Sequence, residues 1–172
     1  MFEHPAVRKL DYFWRLDTDS FILAPVRQDL FRFMAERDLK YGFRVEMRDT
    51  PDVTDGLEDF VEAYMASHPA AAEQAERNGL LLTPPEDRVV EGAAMYYNNF
   101  EVVHVPTFSK QADLQDFVKA VDETHHIFNR RWGDAPLRYY ACNLFLSRNE
   151  LHHFCDIDYL HQSHFLPDCD AQ

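Results

Sequence analysis

Arg131-Trp132-Gly133-Asp134-Ala135-Pro136, running into the apolar stretch Leu137 to Leu146, is the segment on which the reading of the chain turns. A polar, helix-like segment gives way here to a tight loop that carries one acid and one indole. Gly133 and Pro136 fix the backbone on either side of Asp134, so the loop is suited to holding a carboxylate at the mouth of a pocket. Acids on such loops carry function more often than acids on smooth helices. The apolar run beyond is either a strand or a buried helix, two states that periodicity does not separate over so short a length.

Upstream, Lys110 to Thr124 has the spacing of an amphipathic helix with Leu114, Phe117, Val118 and Val121 facing inward. Before it, Met95 to Val103 is apolar but interrupted by Asn98, Asn99 and Glu101. An acid between Phe100 and Val102 sits either on the wet face of a strand, which general burial statistics favour, or half-buried in a site. Half burial would raise its pKa and suit it to nucleophilic or acid–base work. Downstream, Leu151 to His161 is rich in histidine. A zinc reading of His152, His153, Cys155 and His161 finds no paired ligand spacing to support it.

Toward the N-terminus, Asp11 to Leu16 reads as an aromatic strand ending in Asp17-Thr18-Asp19. Alternate residues of an extended chain share a side, so Asp17 and Asp19 either present two carboxylates to a hard cation such as Mn²⁺ or Mg²⁺ or are two solvated turn acids. Asp29 to Tyr41 follows as a helix with Gly42 as its stop, then Phe43 to Met47 as a strand. Asp55 and Glu58 are spaced as a capping box for a helix carrying Leu57, Phe60, Val61, Tyr64 and Met65. Pro69 follows its end, Ala70 to Arg77 reads as a surface helix stopped by Asn78-Gly79, and Thr83 to Asp87 as a loop.

The chain has 172 residues, 46% hydrophobic and 14% aromatic, which suits one globular domain with a real core. Its net charge of −13 makes nucleic acid an unsuitable partner, since a phosphate backbone needs a basic footprint. No apolar run is long enough to span a bilayer, and the start Met1-Phe2-Glu3-His4-Pro5 is not a signal peptide. Three cysteines without a CxxC indicate neither a disulfide framework nor a cysteine zinc site, although one pair such as Cys155 with Cys169 remains open in an oxidising lumen.

Several ordered motifs resemble glycosyltransferase family 15, the fungal-type glycolipid 2-alpha-mannosyltransferases. Tyr12 to Asp19 is similar to the family's YYWRVEPD segment; Phe31 to Met34 with Lys40 to Phe43 to its FRFM…KYGF; Asn99-Phe100-Glu101 to SNFE; Arg131 to Pro136 to RWGDAP; and Asp156 to His161 to the DEIGYHH ending. The resemblance runs from about Pro5 to Phe165. It implies an α/β, GT-A-like mixed sheet flanked by helices, as the C-terminal part of the family's catalytic domain. It also implies retaining, metal-assisted transfer of mannose from GDP-mannose to a mannose hydroxyl of a glycan acceptor. On that basis Asp17 and His161 are expected to hold Mn²⁺, with Asp19 and Trp132 in the donor site, Glu101 as nucleophile and Asp134 beside the sugar.

The sequence departs from the family at Asp17 (Glu there), Thr18 (Pro), Asn98 (Ser), Leu160 (the first His) and Arg130 (an acid). The membrane anchor and nucleotide-cradling βα units of the family are expected upstream of the residues present. Golgi localisation follows from the resemblance alone, since the chain carries neither signal nor anchor. The competing expectation is an inactive, shortened relative that binds glycans or a protein.

Overall fold

A computed structural model describes residues 1–162 and the strand at 164–166. The chain begins with β1 (Tyr12–Leu16), β2 (Ser20–Ile22), α1 (Leu30–Glu36), β3 (Tyr41–Phe43) and β4 (Glu46–Arg48). It continues through α2 (Leu57–Ser67), α3 (Pro69–Asn78), α4 (Arg88–Glu91), β5 (Ala94–Tyr96) and β6 (Phe100–His104). Four helices follow, α5 (Val105–Lys110), α6 (Ala112–Glu123), α7 (His126–Asn129) and α8 (Asp134–Phe145), then β7 (Leu151–His153), β8 (Tyr159–His161) and β9 (His164–Leu166). These elements group into two compact units, one of residues 1–45, 97–109 and Asn149 onward, the other of 46–96 and 110–148.

The first unit is built on a mixed sheet in the order β1-β6-β3-β7, antiparallel except for the parallel pair β3–β7. A second, antiparallel sheet runs β2-β8-β9. In α1, Leu30 and Met34 lie one turn apart and bury together with Leu39, Phe100, Val102, Phe154, Ile157 and Tyr159. The Asp29 carboxylate caps this helix by accepting from the amides of Phe31 and Arg32.

The helix does not run to Gly42 as its spacing suggested. It stops at Glu36, where Asp38 takes φ 55° and Leu39 donates to the Met34 carbonyl, a Schellman-type end with aspartate in the place usually given to glycine. Gly42 instead lies in the middle of β3, under the Phe154 ring. A Cβ there would stand 2.3 Å from Phe154 Cε2. Gly42→Ala is therefore expected to destabilise the protein by about 1–3 kcal/mol through overpacking, measured as a lowered urea midpoint with unchanged slope.

The strand expected over Phe43 to Met47 is broken in two, because Arg44 turns into the first unit, where its guanidinium donates to the Ile157 carbonyl at 2.8 Å. β3 and β4 consequently belong to different sheets, β4 pairing with β5. Cys155 is disulfide-bonded and so unavailable as a zinc thiolate, while Cys142 is free and buried; Cys169 lies outside the described residues.

In the second unit the ambiguous run Leu137 to Leu146 is a helix, α8, whose Tyr140, Ala141, Cys142, Asn143 and Leu144 are all buried. α3 packs against it through Asn78, whose amide donates to the carbonyls of Asn143 and Leu146. The expected surface helix thus buries one face, through Ala71, Ala75 and Asn78, and it begins at Pro69 itself. The capping box does not form. Gly56, at φ 72°, is the N-cap of α2, and Glu58 turns inward instead. There its carboxylate, 4% exposed, accepts from the Tyr140 hydroxyl at 2.6 Å and from the Thr83 amide at 3.0 Å. On α6, Leu114, Phe117 and Val121 are buried as expected, but Val118 faces outward, 49% exposed.

Candidate active site

The acid pair at the end of β1 is assembled by a turn. The Asp17 carbonyl accepts from the Ser20 amide, and the Asp17 amide is held by the Asn99 carbonyl at 3.1 Å. β2 then pairs with β8 so that Ser20 stands opposite His161. This register places the His161 imidazole against the acids, with Nε2 3.0 Å from Asp19 Oδ1. Ligand atoms of Asp17, Asp19 and His161 all fall within 4.8 Å of one another.

Two carboxylates and an imidazole are a donor set suited to Mn²⁺, which takes both oxygen and histidine nitrogen. The burial supports the same fit. His161 is 3% exposed, and its Nδ1 is buried without a hydrogen-bond partner among the described residues. The ring is packed by the edge of Tyr97 at 5.2 Å. Asp19 is exposed, and its carboxyl is held below the usual range chiefly by the Gln162 amide, with His161 adding to the effect. Below the floor of the corner, Tyr159 shares a 2.6 Å hydrogen bond with Ser20, and burial pushes its hydroxyl up to about 12.

Glu101 does not lie on a wet face. It sits on β6, the strand between β1 and β3, opposite Arg15 on one side and Phe43 on the other, and it is 0% exposed. The local pattern misleads because Phe100, Glu101, Val102 and Val103 are all buried, so no alternation of wet and dry positions survives on this central strand. The Tyr41 hydroxyl donates to Glu101 Oε2 at 3.0 Å.

Arg15 links the buried acid to the metal-type cluster, with Nε donating to Asp17 Oδ1 at 3.2 Å and Nη1 4.0 Å from Glu101 Oε1. Sequence reasoning missed Arg15 and Tyr41. Arg15 carried a usable signal, since it is two residues before Asp17 on a strand and therefore on its side. Tyr41 carried none, as its position beside Glu101 depends on the pairing of β3 with β6.

Asp134 and Trp132 belong to the second unit. Asp134 is not a loop residue but the first residue of α8, exposed, following Gly133 as N-cap. An acid there is favoured by the unpaired amides and dipole of the helix start. Trp132 is 3% exposed, packed edge-on against His126 and tilted against Phe60, and its Nε1 donates to the Asp55 carbonyl at 2.8 Å. The indole braces the segment that delivers Asp134, helped by Arg130, which donates to Asp55 Oδ2 at 2.7 Å. Arg131 between them takes φ 61°.

Comparison with known proteins places the chain among fungal mannosyltransferases by sequence and by fold. Relatives include alpha-1,2 mannosyltransferase KTR1 of Saccharomyces cerevisiae, 28% identical over 93% of this chain and 40% of that protein. Another is O-glycoside alpha-1,2-mannosyltransferase omh1 of Schizosaccharomyces pombe, 26% identical over 93% of this chain and 40% of the relative. The chain thus spans about two-fifths of the length of the curated relatives it matches.

Among solved structures, core-mannan synthase A from Aspergillus fumigatus in its Mn/GDP form superposes with a TM-score of 0.82 at 27% identity, covering 98% of this chain and 47% of that one. The mannosyltransferase Ktr4p of Saccharomyces cerevisiae in complex with GDP gives 0.83 at 26%, covering 99% and 45%. The sequence profile of the glycolipid 2-alpha-mannosyltransferases matches residues 1–172, and the chain belongs to that family.

Proposed function

We propose that this chain carries the metal- and sugar-facing acids of an α-1,2-mannosyltransferase, which moves mannose from GDP-mannose to a mannose hydroxyl of a glycan with retention. The observation that carries the reading is the convergence of Asp17, Asp19 and His161 beside a buried glutamate tied to them by one arginine. Asp17 and Asp19 would supply carboxylate oxygens and His161 a ring nitrogen to Mn²⁺. A divalent cation held there would neutralise the diphosphate of the departing nucleotide.

Glu101 would face the anomeric carbon. The carboxylate would attack that carbon as its bond to the diphosphate breaks and GDP leaves. The acceptor hydroxyl would then displace the carboxylate, passing its proton to the departed diphosphate, so that two successive displacements give retention. Tyr41 fixes the orientation of that carboxylate, and Arg15 keeps the two acidic groups in register. For Asp134 a sugar-facing role rests on the family resemblance, and Trp132, buried against Phe60 and His126, supports the segment that carries it.

The alternative of an inactive glycan- or protein-binding relative is not favoured, because it gives the three-ligand cluster and the buried acid nothing to do. An oxidising lumen such as the Golgi is supported by the disulfide at Cys155. No helix among the described residues is long and apolar enough to cross a membrane.

Titration with Mn²⁺ followed by electron paramagnetic resonance tests the cluster. Loss of outer-shell partners alone costs metal sites roughly 10–100-fold in affinity, so His161→Ala is expected to weaken Mn²⁺ binding by at least about tenfold. Equal affinity in the variant would remove His161 from the site. Calorimetry with GDP-mannose, with and without Mn²⁺, is expected to show metal-dependent binding.

A further inference from the structure

The second unit contains a cavity of ≈ 430 Å³ between the end of α2, α3, the start of α6 and the end of α8. Its size falls in the range of about 300–1,000 Å³ typical of small-molecule sites. One wall is a stacked pair. The His68 imidazole lies flat on Tyr64, with centroids 3.9 Å apart and planes within 6°. Its Nδ1 donates to the Tyr64 carbonyl at 2.8 Å and lies 3.0 Å from Ser67 Oγ. Pro69 then starts the next helix, and the His68 carbonyl accepts from Ala71 and Ala72. The ring is therefore fixed from both sides of the junction, while His68 itself is exposed and its Nε2 is left uncommitted as an acceptor.

Opposite chemistry comes from α6. Asp113 and Asp116 lie one turn apart on one side of that helix, both exposed, and neither has a hydrogen bond or ion pair among the described residues. They are close enough to Tyr64 to add to the effect of burial in pushing its hydroxyl upward. Arg77 also lines the space, its guanidinium steadied by Gln74 Oε1 at 2.8 Å.

The mixture of signs selects the ligand. The Arg77 guanidinium opposes a simple cation, and two aspartates oppose phosphate or sulfate. A neutral polyol uses every group present. Its hydroxyls donate to the carboxylates in strong charge-assisted bonds and accept from the guanidinium, and its C–H face rests on a flat ring.

We propose that this cavity is a saccharide subsite for a short neutral mannoside, lined wholly by the second unit and distinct from the Asp17–Asp19–His161 cluster. The choice of mannose among sugars rests on the mannosyl-transfer reading. Saturation-transfer NMR and calorimetry with α-1,2-mannobiose, in the absence of Mn²⁺ and nucleotide, test it.

Saturable binding is expected, weakened about tenfold or more by Asp113→Asn with Asp116→Asn. His68→Ala should weaken it similarly, with Mn²⁺ affinity unchanged. Absence of binding, or binding that the paired aspartate variant leaves intact, overturns the subsite. So does displacement of the sugar by spermidine or inorganic phosphate. Parallel titration with GDP-mannose and Mn²⁺ separates the two ideas: if that binding fails while mannobiose still depends on Asp113 and Asp116, the transfer reading falls and the subsite stands.

Discussion

Glu101→Gln is expected to lower mannosyl transfer from GDP-mannose by at least about 10³-fold, on the scale of losing a nucleophile or a positioned acid–base group, while the protein still folds. Glutamine fills the same volume, and its carbonyl oxygen can still accept from Tyr41. What disappears is the negative charge facing Arg15 and the developing positive charge of the sugar. The loss should fall on kcat, because the group acts on the transition state and not on nucleotide binding. Tyr41→Phe removes only the hydrogen bond to Oε2 and is expected to cost about tenfold, the price of a hydrogen bond to a charged group. Transfer by Glu101→Gln within tenfold of the wild type would make this residue structural and the proposed mechanism wrong.

The largest effect on stability is expected at Glu58. Glu58→Leu should destabilise the protein by about 2–6 kcal/mol, the sum of two buried donors left unsatisfied at roughly 1–3 kcal/mol each. At this chain length that corresponds to a melting temperature lower by roughly 10 °C. The Glu58 carboxylate accepts from the Tyr140 hydroxyl and the Thr83 amide, and the Arg88 Nε stands 3.6 Å away. Leucine would leave the Tyr140 hydroxyl and the Thr83 amide facing an apolar group, whereas the Arg88 Nε keeps the Thr83 carbonyl at 2.8 Å. Arg88 keeps Asp59 and Glu62 at the surface, so most of the cost lies with Tyr140 and Thr83. Tyr140→Phe removes donor and mismatch together on its side, and combining it with Glu58→Leu should recover part of the loss. A fall under 1 kcal/mol for Glu58→Leu would show that the network contributes little.

The same residue shows where sequence reasoning reached and where it stopped. Glu58 three positions after Asp55 has the spacing of a capping box, and nothing local reveals that Gly56 takes the cap and frees Glu58 to point at a tyrosine 82 residues away. β1 and all of the inward face of α6 but Val118 were legible because each depends on a period of two or of three to four residues, whereas Asp17 and Asp19 come together through the turn to Ser20 and not through the strand alternation expected of them. Glu101 was misjudged because its burial is decided by β1 and β3 on either side of β6, which lie far from it in sequence. His161 was joined to Asp17 as a metal ligand only through resemblance to a family, since its approach to the acids is set by the register of β2 against β8. The Leu137 to Leu146 run, open between strand and helix, was settled as α8 by packing along β5 and α3. Asp134 shifted from loop to helix start for the same reason.

The pairing of β2 with β8 has a kinetic consequence. Asp19 and His161 are 142 residues apart, so closing that contact is among the costliest in chain entropy that the molecule makes. A cation that bridges them would stabilise only the completed pairing, by an amount that grows with the logarithm of its free concentration above the dissociation constant. Manganese binding in this protein would thus report that folding has finished, and metal depletion would loosen the β2–β8 seam before it disturbed the four-stranded sheet.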